Sequence, residues 1–206
     1  SGLDQDVLFE SGGNVHGASI LIATNAGTPT LEFRTRNNTT TQVDASDTLT
    51  DSRVGDFIQA VGTVSTAAGQ TRLYVNGQLR DIAVGTANWS QGGDAAGLAT
   101  QAGTSIGAVD AGSAFSNFSG EIARLRLYDA PLTPREVYDR FAEIAPDADP
   151  YANAVLADDP VAFYRLGERA GITDTVNLGS SGSAIDGDAS VTWNGTLGEA
   201  GLVDSN

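Results

Sequence analysis

Leu73-Tyr74-Val75-Asn76-Gly77-Gln78-Leu79 is the stretch on which the fold class turns. A two-residue link between strands needs positive φ at both central residues, and Asn-Gly adopts it at the least cost, so the apolar runs on either side read as the arms of a β-hairpin. Working outward, clusters of Gly, Asn, Asp, Ser and Thr recur between short β-branched or aromatic runs, in a chain with 25 Gly among 206 residues. That is the pattern of many strands joined by turns. The candidate strands are Asp6 to Glu10, Ala18 to Thr24, Thr30 to Arg36, Asp56 to Val64, Thr71 to Val75, Gln78 to Val84, Ser105 to Ala108 and Glu121 to Asp129. In Thr30 to Arg36, Leu31 and Phe33 alternate with Glu32, Arg34 and Arg36; in Glu121 to Asp129, Ala123, Leu125 and Leu127 alternate with Arg124 and Arg126. Each such strand has one wet and one buried face, which predicts an all-β, two-sheet antiparallel sandwich.

One short helix is legible near 133–144. Thr133 is its N-cap, Pro134 the first helical residue, and Glu136 closes a capping box, while Leu132 is placed to staple onto Val137. Val137, Tyr138, Phe141 and Ile144 make its apolar face, and Pro146 ends it. The following Pro- and Asp-rich stretch, 146–150, reads as a linker. Beyond it, 151–206 carries one dense apolar run, Pro160 to Leu166, and then mostly Gly, Ser, Asp, Thr and Asn, too little to build a core of its own.

Charge excludes several partners. Twenty-six acids against 11 bases, all of them Arg, give −15. A field of that sign repels phosphate backbones and anionic lipid, so neither nucleic acid nor a membrane surface is an expected partner. Calcium and basic partners suit it better. Zero Cys excludes disulfides, thiolate nucleophiles and Cys-ligated zinc.

Three pieces of the front part occur in a telling order: Leu73 to Gly77, then Thr104-Ser105-Ile106-Gly107-Ala108, then Gly120 to Thr133 running into the helix. Together they resemble the laminin-G-like, concanavalin-A-like jelly rolls of bacterial extracellular proteins, with Glu121 to Asp129 similar to the family's last strand. Asp159-Pro160-Val161-Ala162-Phe163-Tyr164-Arg165-Leu166-Gly167-Glu168 resembles the opening strand of a fresh copy. The resemblance implies a jelly roll over 1–145 that lacks its first strands, and front strands of a following repeat over 151–206. That second segment would complete the sandwich in cis or in a neighbouring chain, with Val161, Phe163, Tyr164 and Leu166 as the complementing strand.

Chemistry is sparse. Sugar-cleaving enzymes need two carboxylates about 5 to 10 Å apart across one site, and no strand here carries acids at a spacing that faces them together. His16 has no partner motif for a triad or a zinc site. Calcium is the cofactor that the acidic loops suggest, with Asp110, Asp186 and Asp188 as ligands, because hard cations select carboxylates and carbonyls on loops. Trp89, in the polar loop Ala87 to Gly93, is placed to stack on a sugar ring, with Asn88 and Asp110 beside it as ligand-binding candidates. The resulting expectation is a non-catalytic recognition module, secreted or on a bacterial cell surface, that binds a glycan or an extracellular protein. The alternative is a structural subunit that assembles head-to-tail into a fibre by strand complementation.

Overall fold

The computed structural model describes residues 4–12, 17–36, 42–49, 55–85, 103–107, 116–165, 172, 174–182 and 187–188. Strands β1 (Asp4–Gly12), β2 (Gly17–Asn25), β3 (Thr28–Arg36) and β4 (Gln42–Thr48) form an antiparallel meander. A second, three-stranded sheet follows, in the order β5 (Ala60–Ser65), β6 (Gln70–Val75) and β7 (Gln78–Val84). The chain then returns to the first sheet, where β8 (Gly103–Ile106) and β9 (Ser116–Asn117) pair with the free edge of β1. The two-sheet sandwich is therefore borne out.

Opposed residues of antiparallel strands share a face, so the register sorts the side chains of the large sheet. Phe33 lies opposite Ala45 and Ile20, and Ile20 opposite Phe9; Leu31 lies opposite Asp47 and Ile22, and Thr35 opposite Val43 and Ala18. These rows face the small sheet. A Cβ added to Gly62 of β5 would sit 2.3 Å from the Phe33 ring, and one added to Gly85 would sit 2.7 Å from Val43. The hydroxyls of Thr35 and Thr71 hydrogen-bond across the same gap at 3.2 Å. The other face of β3 and β4 is the polar one, where Arg34 bonds Glu32 at 2.6 Å and pairs with Asp44 at 3.3 Å. Leu31 and Phe33 inward, with Glu32, Arg34 and Arg36 outward, is the alternation that the sequence predicts.

A bulge in β1 shifts the register between Val7, opposite Leu21, and Phe9, opposite Ile20. Neighbours on β2 point to opposite faces, so Val7 and Phe9 do too, and both are buried, Phe9 in the sandwich and Val7 with Leu21 and Ala23 on the far side.

Two hairpins use the same turn. Asn76 (φ 51) and Gly77 (φ 71) join β6 to β7 as the sequence predicts, and Ala26 (φ 50) and Gly27 (φ 85) join β2 to β3. Ala26 carries a Cβ into a left-handed conformation that costs non-glycine residues about 1 kcal/mol or more.

By contact density the chain divides into two units: 1–57, 62–73 and 82–131, and 58–61, 74–81 and 132–206. In the second, α1 (Pro134–Ala142) has the capping box in full: Thr133 Oγ1 accepts from the Glu136 amide, and Glu136 accepts from Thr133 N–H at 2.8 Å. The Thr133 N–H and then the Thr133 hydroxyl, both donating to Glu136 Oε2, hold that carboxyl below its ordinary value. Gly77 lies against this helix, 3.1 Å from Phe141 Cβ as measured from an added Cβ, so the turn needs glycine for clearance as well as for φ. Val137 and Tyr138 are buried as expected, whereas Ile144, expected on the apolar face, lies past the helix end and is half exposed.

Three expectations need correction. The stretch read as a linker, 146–150, is a tight connection whose last residue already begins a second helix, α2 (Pro150–Ala157), capped by Asp149 accepting from the Ala152 amide at 2.9 Å. The segment Glu121 to Asp129 belongs to no sheet among the described residues, and every residue from 121 to 130 is exposed. Its alternation needs a pairing partner on its edge to become a strand. Third, Pro160 to Arg165 is not a regular strand; it runs beside 177–181, with Leu178 N–H donating to Phe163 O, Ser180 N–H to Pro160 O, and one bridge between Tyr164 and Asn177. Strand β4 was missed altogether. Two short strands, β10 (Asp174–Thr175) and β11 (Gly187–Asp188), pair with each other.

The fully buried Asn177 organises that last segment. Its Oδ1 accepts from Phe163 N–H at 2.8 Å and Gly179 N–H at 2.9 Å, and its Nδ2 donates to Gly182 O at 3.0 Å. The neighbouring Tyr138, Ala152, Leu156 and Leu178 form the core of the second unit, with Phe163 and Ala142 packed on it.

Three outcomes are expected from thermal or urea melts. Ala26→Asn stabilises by about 0.5–1 kcal/mol, because Asn tolerates the left-handed conformation. Gly62→Val destabilises by at least about 2 kcal/mol, since the Phe33 ring occupies the space its side chain needs, and Phe33→Leu in the same chain recovers part of the loss. Asn177→Ala costs about 3 kcal/mol by leaving two amides and a carbonyl without their partner.

Candidate binding surfaces

Among the described residues the large exposed apolar side chains fall chiefly on two surfaces, one in each unit. The first is the run after β9. Phe118 N–H donates to Gly107 O at 3.0 Å and Gly107 N–H to the carbonyl of Leu8 at 2.9 Å, so the bulge in β1 anchors the start of the run. Ile122 still touches this anchor, its Cδ1 lying 3.8 Å from an added Cβ on Gly107. Beyond it Leu125, Leu127 and Tyr128 are exposed by 38%, 50% and 42%.

The second surface is built on α2. Two turns of sequence dictate it: Asp149-Pro150 opens the helix, and Asp159, at φ 48, ends it in a left-handed cap that Asp accepts more readily than most residues. Tyr151, on the first turn, is 70% exposed, and its ring meets Phe163 edge-on, with centroids 6.3 Å apart and planes at 67°. The Phe163 backbone amide donates to Asn177 Oδ1, and its side chain packs on the apolar cluster of this unit. The same unit holds a fixed polar group. Arg165 pairs with Asp149 at 2.5 Å and lies 5.7 Å from the centre of the Tyr138 ring, and the Tyr138 hydroxyl donates to Asn153 Oδ1 at 2.8 Å. Burial, and then the charge of Asp149, push the Tyr138 hydroxyl above its ordinary value.

The sequence-predicted residues distribute unevenly over these surfaces. Trp89, Asn88, Asp110, Asp186 and Leu166 lie outside the described residues. Asp188 lies in β11, opposite Asp174. Among the expected complementing residues, Val161 is 66% exposed, while Phe163 and Tyr164 are engaged with Leu178 and Asn177 of their own chain. Sequence reading missed Tyr151 as a surface residue because 151 follows what looked like a linker; the Asp-Pro helix start was the signal that could have found it. Several acids are engaged locally: Glu32 and Asp44 on Arg34, Asp139 on Arg135 at 2.9 Å, and Asp149 on its cap and Arg165. Among the described residues no three acids or histidines converge on a point, and no helix is long and apolar enough to cross a membrane.

A family model described as the concanavalin A-like lectin/glucanases superfamily, of laminin G type, matches residues 1–138. No curated protein and no solved structure matches the chain. The matched span runs from the first strand of the large sheet into α1 and covers both sheets of the sandwich. The chain belongs to the concanavalin A-like lectin/glucanase superfamily.

Proposed function

We propose that this chain is a non-catalytic recognition module of an extracellular, adhesion type that binds carbohydrate or protein. The observation that carries the reading is Tyr151, an aromatic ring 70% exposed that meets Phe163 edge-on. A tyrosine side chain has only two rotatable bonds and so loses little conformational entropy on binding, and its ring suits the apolar face of a sugar or an apolar side chain of a protein partner. The Arg165–Asp149 pair and the Asn153 amide, which donates to Pro146 O at 2.7 Å, are fixed polar groups of the same unit that can confer orientation.

The non-catalytic part of the reading is supported by how the acids are used. A glycosidase holds two carboxylates on opposite sides of a scissile bond with their pKa values driven apart. Here Asp149 and Glu136 cap helices, and Glu32 and Asp44 share one guanidinium. The fibre reading, in which Val161, Phe163, Tyr164 and Leu166 enter a neighbour, is less favoured because Phe163 and Tyr164 already bond within their own chain.

The test is a printed glycan array and a panel of extracellular-matrix proteins, each with and without calcium, probed with the wild-type chain. Binding to at least one probe is expected, and Tyr151→Ala should weaken it about tenfold or more with an unchanged melting temperature. Hydrolysis of glucan oligosaccharides by the wild type, an empty array and panel, or equal binding by Tyr151→Ala would overturn the proposal.

A further inference from the structure

Two aspartates in the chain precede proline, Asp149 and Asp159. The proline nitrogen belongs to a tertiary amide and leaves more readily than an ordinary peptide nitrogen. An aspartate carboxyl reaches its own carbonyl carbon through a five-membered ring, so the attack is intramolecular. An Asp–Pro bond is therefore one that a protein can break with its own side chain and water. In a folded chain the outcome depends on what else the carboxyl is holding, and here the two aspartates differ.

Asp149 is occupied on both oxygens. Its Oδ1 accepts from the Ala152 amide at 2.9 Å as the cap of α2, and its Oδ2 pairs with Arg165 at 2.5 Å. Turning either oxygen onto the Asp149 carbonyl breaks a charge-assisted bond, and turning Oδ1 also uncaps the helix. Asp159 stands at the opposite end of α2, where a helix offers carbonyls and no free amides for a carboxylate to accept from. The residue is exposed, and among the described residues its carboxylate has no partner. The backbone on either side of the Asp159–Pro160 bond is held, by contrast. Asp159 N–H donates to Leu156 O at 3.1 Å, and Pro160 O accepts from Ser180 N–H at 2.8 Å. Between those clamps Asp159 sits at φ 48, a left-handed conformation that has a cost for any residue with a Cβ and that scission of the chain here relieves.

We infer that the Asp159–Pro160 bond is a self-cleavage site and that its two products, 1–159 and 160–206, stay together as a nicked chain. In the first step an Asp159 side-chain oxygen bonds to the Asp159 carbonyl carbon and the bond from that carbon to the Pro160 nitrogen breaks. The carboxyl proton passes to the nitrogen, which leaves as a secondary amine. Water then opens the five-membered anhydride and restores the side-chain carboxyl beside a new α-carboxyl. Only water is consumed. The contacts that span the cut are not covalent and survive it: Arg165 on Asp149, Arg135 Nη1 on Leu178 O at 3.2 Å, and Phe163 and Leu178 against Tyr138, Ala152 and Leu156. This chemistry does not depend on what Tyr151 binds.

The test incubates the wild-type chain for days at the lowest pH at which circular dichroism shows it folded, with intact-mass spectrometry of the products. Fragments 1–159 and 160–206 should form at least about tenfold faster than 1–149 and 150–206, since the Asp149 carboxyl must first give up a bond that Asp159 does not make. In concentrated guanidinium chloride, where neither carboxyl is held, the two bonds should break at similar rates. Asp159→Asn keeps the tolerance for the left-handed conformation but has no carboxyl, and should remain intact at 159–160. The cut chain should elute as one species from a size-exclusion column in native buffer and as two in guanidinium chloride. An absence of fragments, equal rates for the two bonds in the folded chain, cleavage of Asp159→Asn at the same bond, or fragments that separate in native buffer would overturn the inference. Should Asp159→Asn fail to fold, the wild-type rates decide it.

Discussion

The Phe33 ring fills the space that Gly62 leaves empty, and the spacing of the two sheets follows from that contact. Sheets stack about 10 Å apart when their side chains interdigitate, so a large ring on one layer needs a small residue opposite it. Gly85 opposite Val43 repeats the arrangement, and the Thr35–Thr71 hydrogen bond satisfies two hydroxyls that burial would otherwise leave without water. Burying a ring of that size contributes about 2–3 kcal/mol, comparable to a sizeable fraction of a small domain's net stability. The bulge in β1 serves the same layer. By turning Phe9 inward while Val7 faces out, it lets one strand supply apolar groups to both sides of the sheet, and the carbonyl of Leu8 ties down the return of the chain at Gly107.

The second unit solves a different problem. Its segment 160–182 has few apolar side chains and little regular structure, so side-chain amide chemistry takes the place of a strand ladder. Asn177 supplies acceptor and donor to three separate backbone groups, and Gly179 permits an approach to the Pro160 and Val161 carbonyls that any Cβ would block. The Phe163 fixed in this way is also the ring that the exposed Tyr151 meets edge-on. The proposed binding surface thus borders the segment that those hydrogen bonds organise.

Much of the framework was legible in the residues. Asn76-Gly77 specified its turn, Leu31 and Phe33 specified their face, and Thr133 with Pro134 and Glu136 specified where α1 begins. Strand β4 escaped because Asp44, Ser46 and Asp47 look like turn residues, although Asp47 is buried opposite Leu31. Helix α2 escaped because Asp-Pro reads equally well as a boundary and as an N-cap followed by the first helical residue.

By itself the sequence determined the local elements whose energetics are settled within a few residues: turns that need positive φ, a capped helix, alternation along a strand, and an acidic surface without cysteine chemistry. Tertiary structure decided whether those elements found partners. Glu121 to Asp129 alternates as well as Thr30 to Arg36 does, yet among the described residues the first belongs to no sheet while the second lies inside one. A strand's stability resides in hydrogen bonds and side-chain contacts with another segment, and no run of residues encodes the presence of that segment.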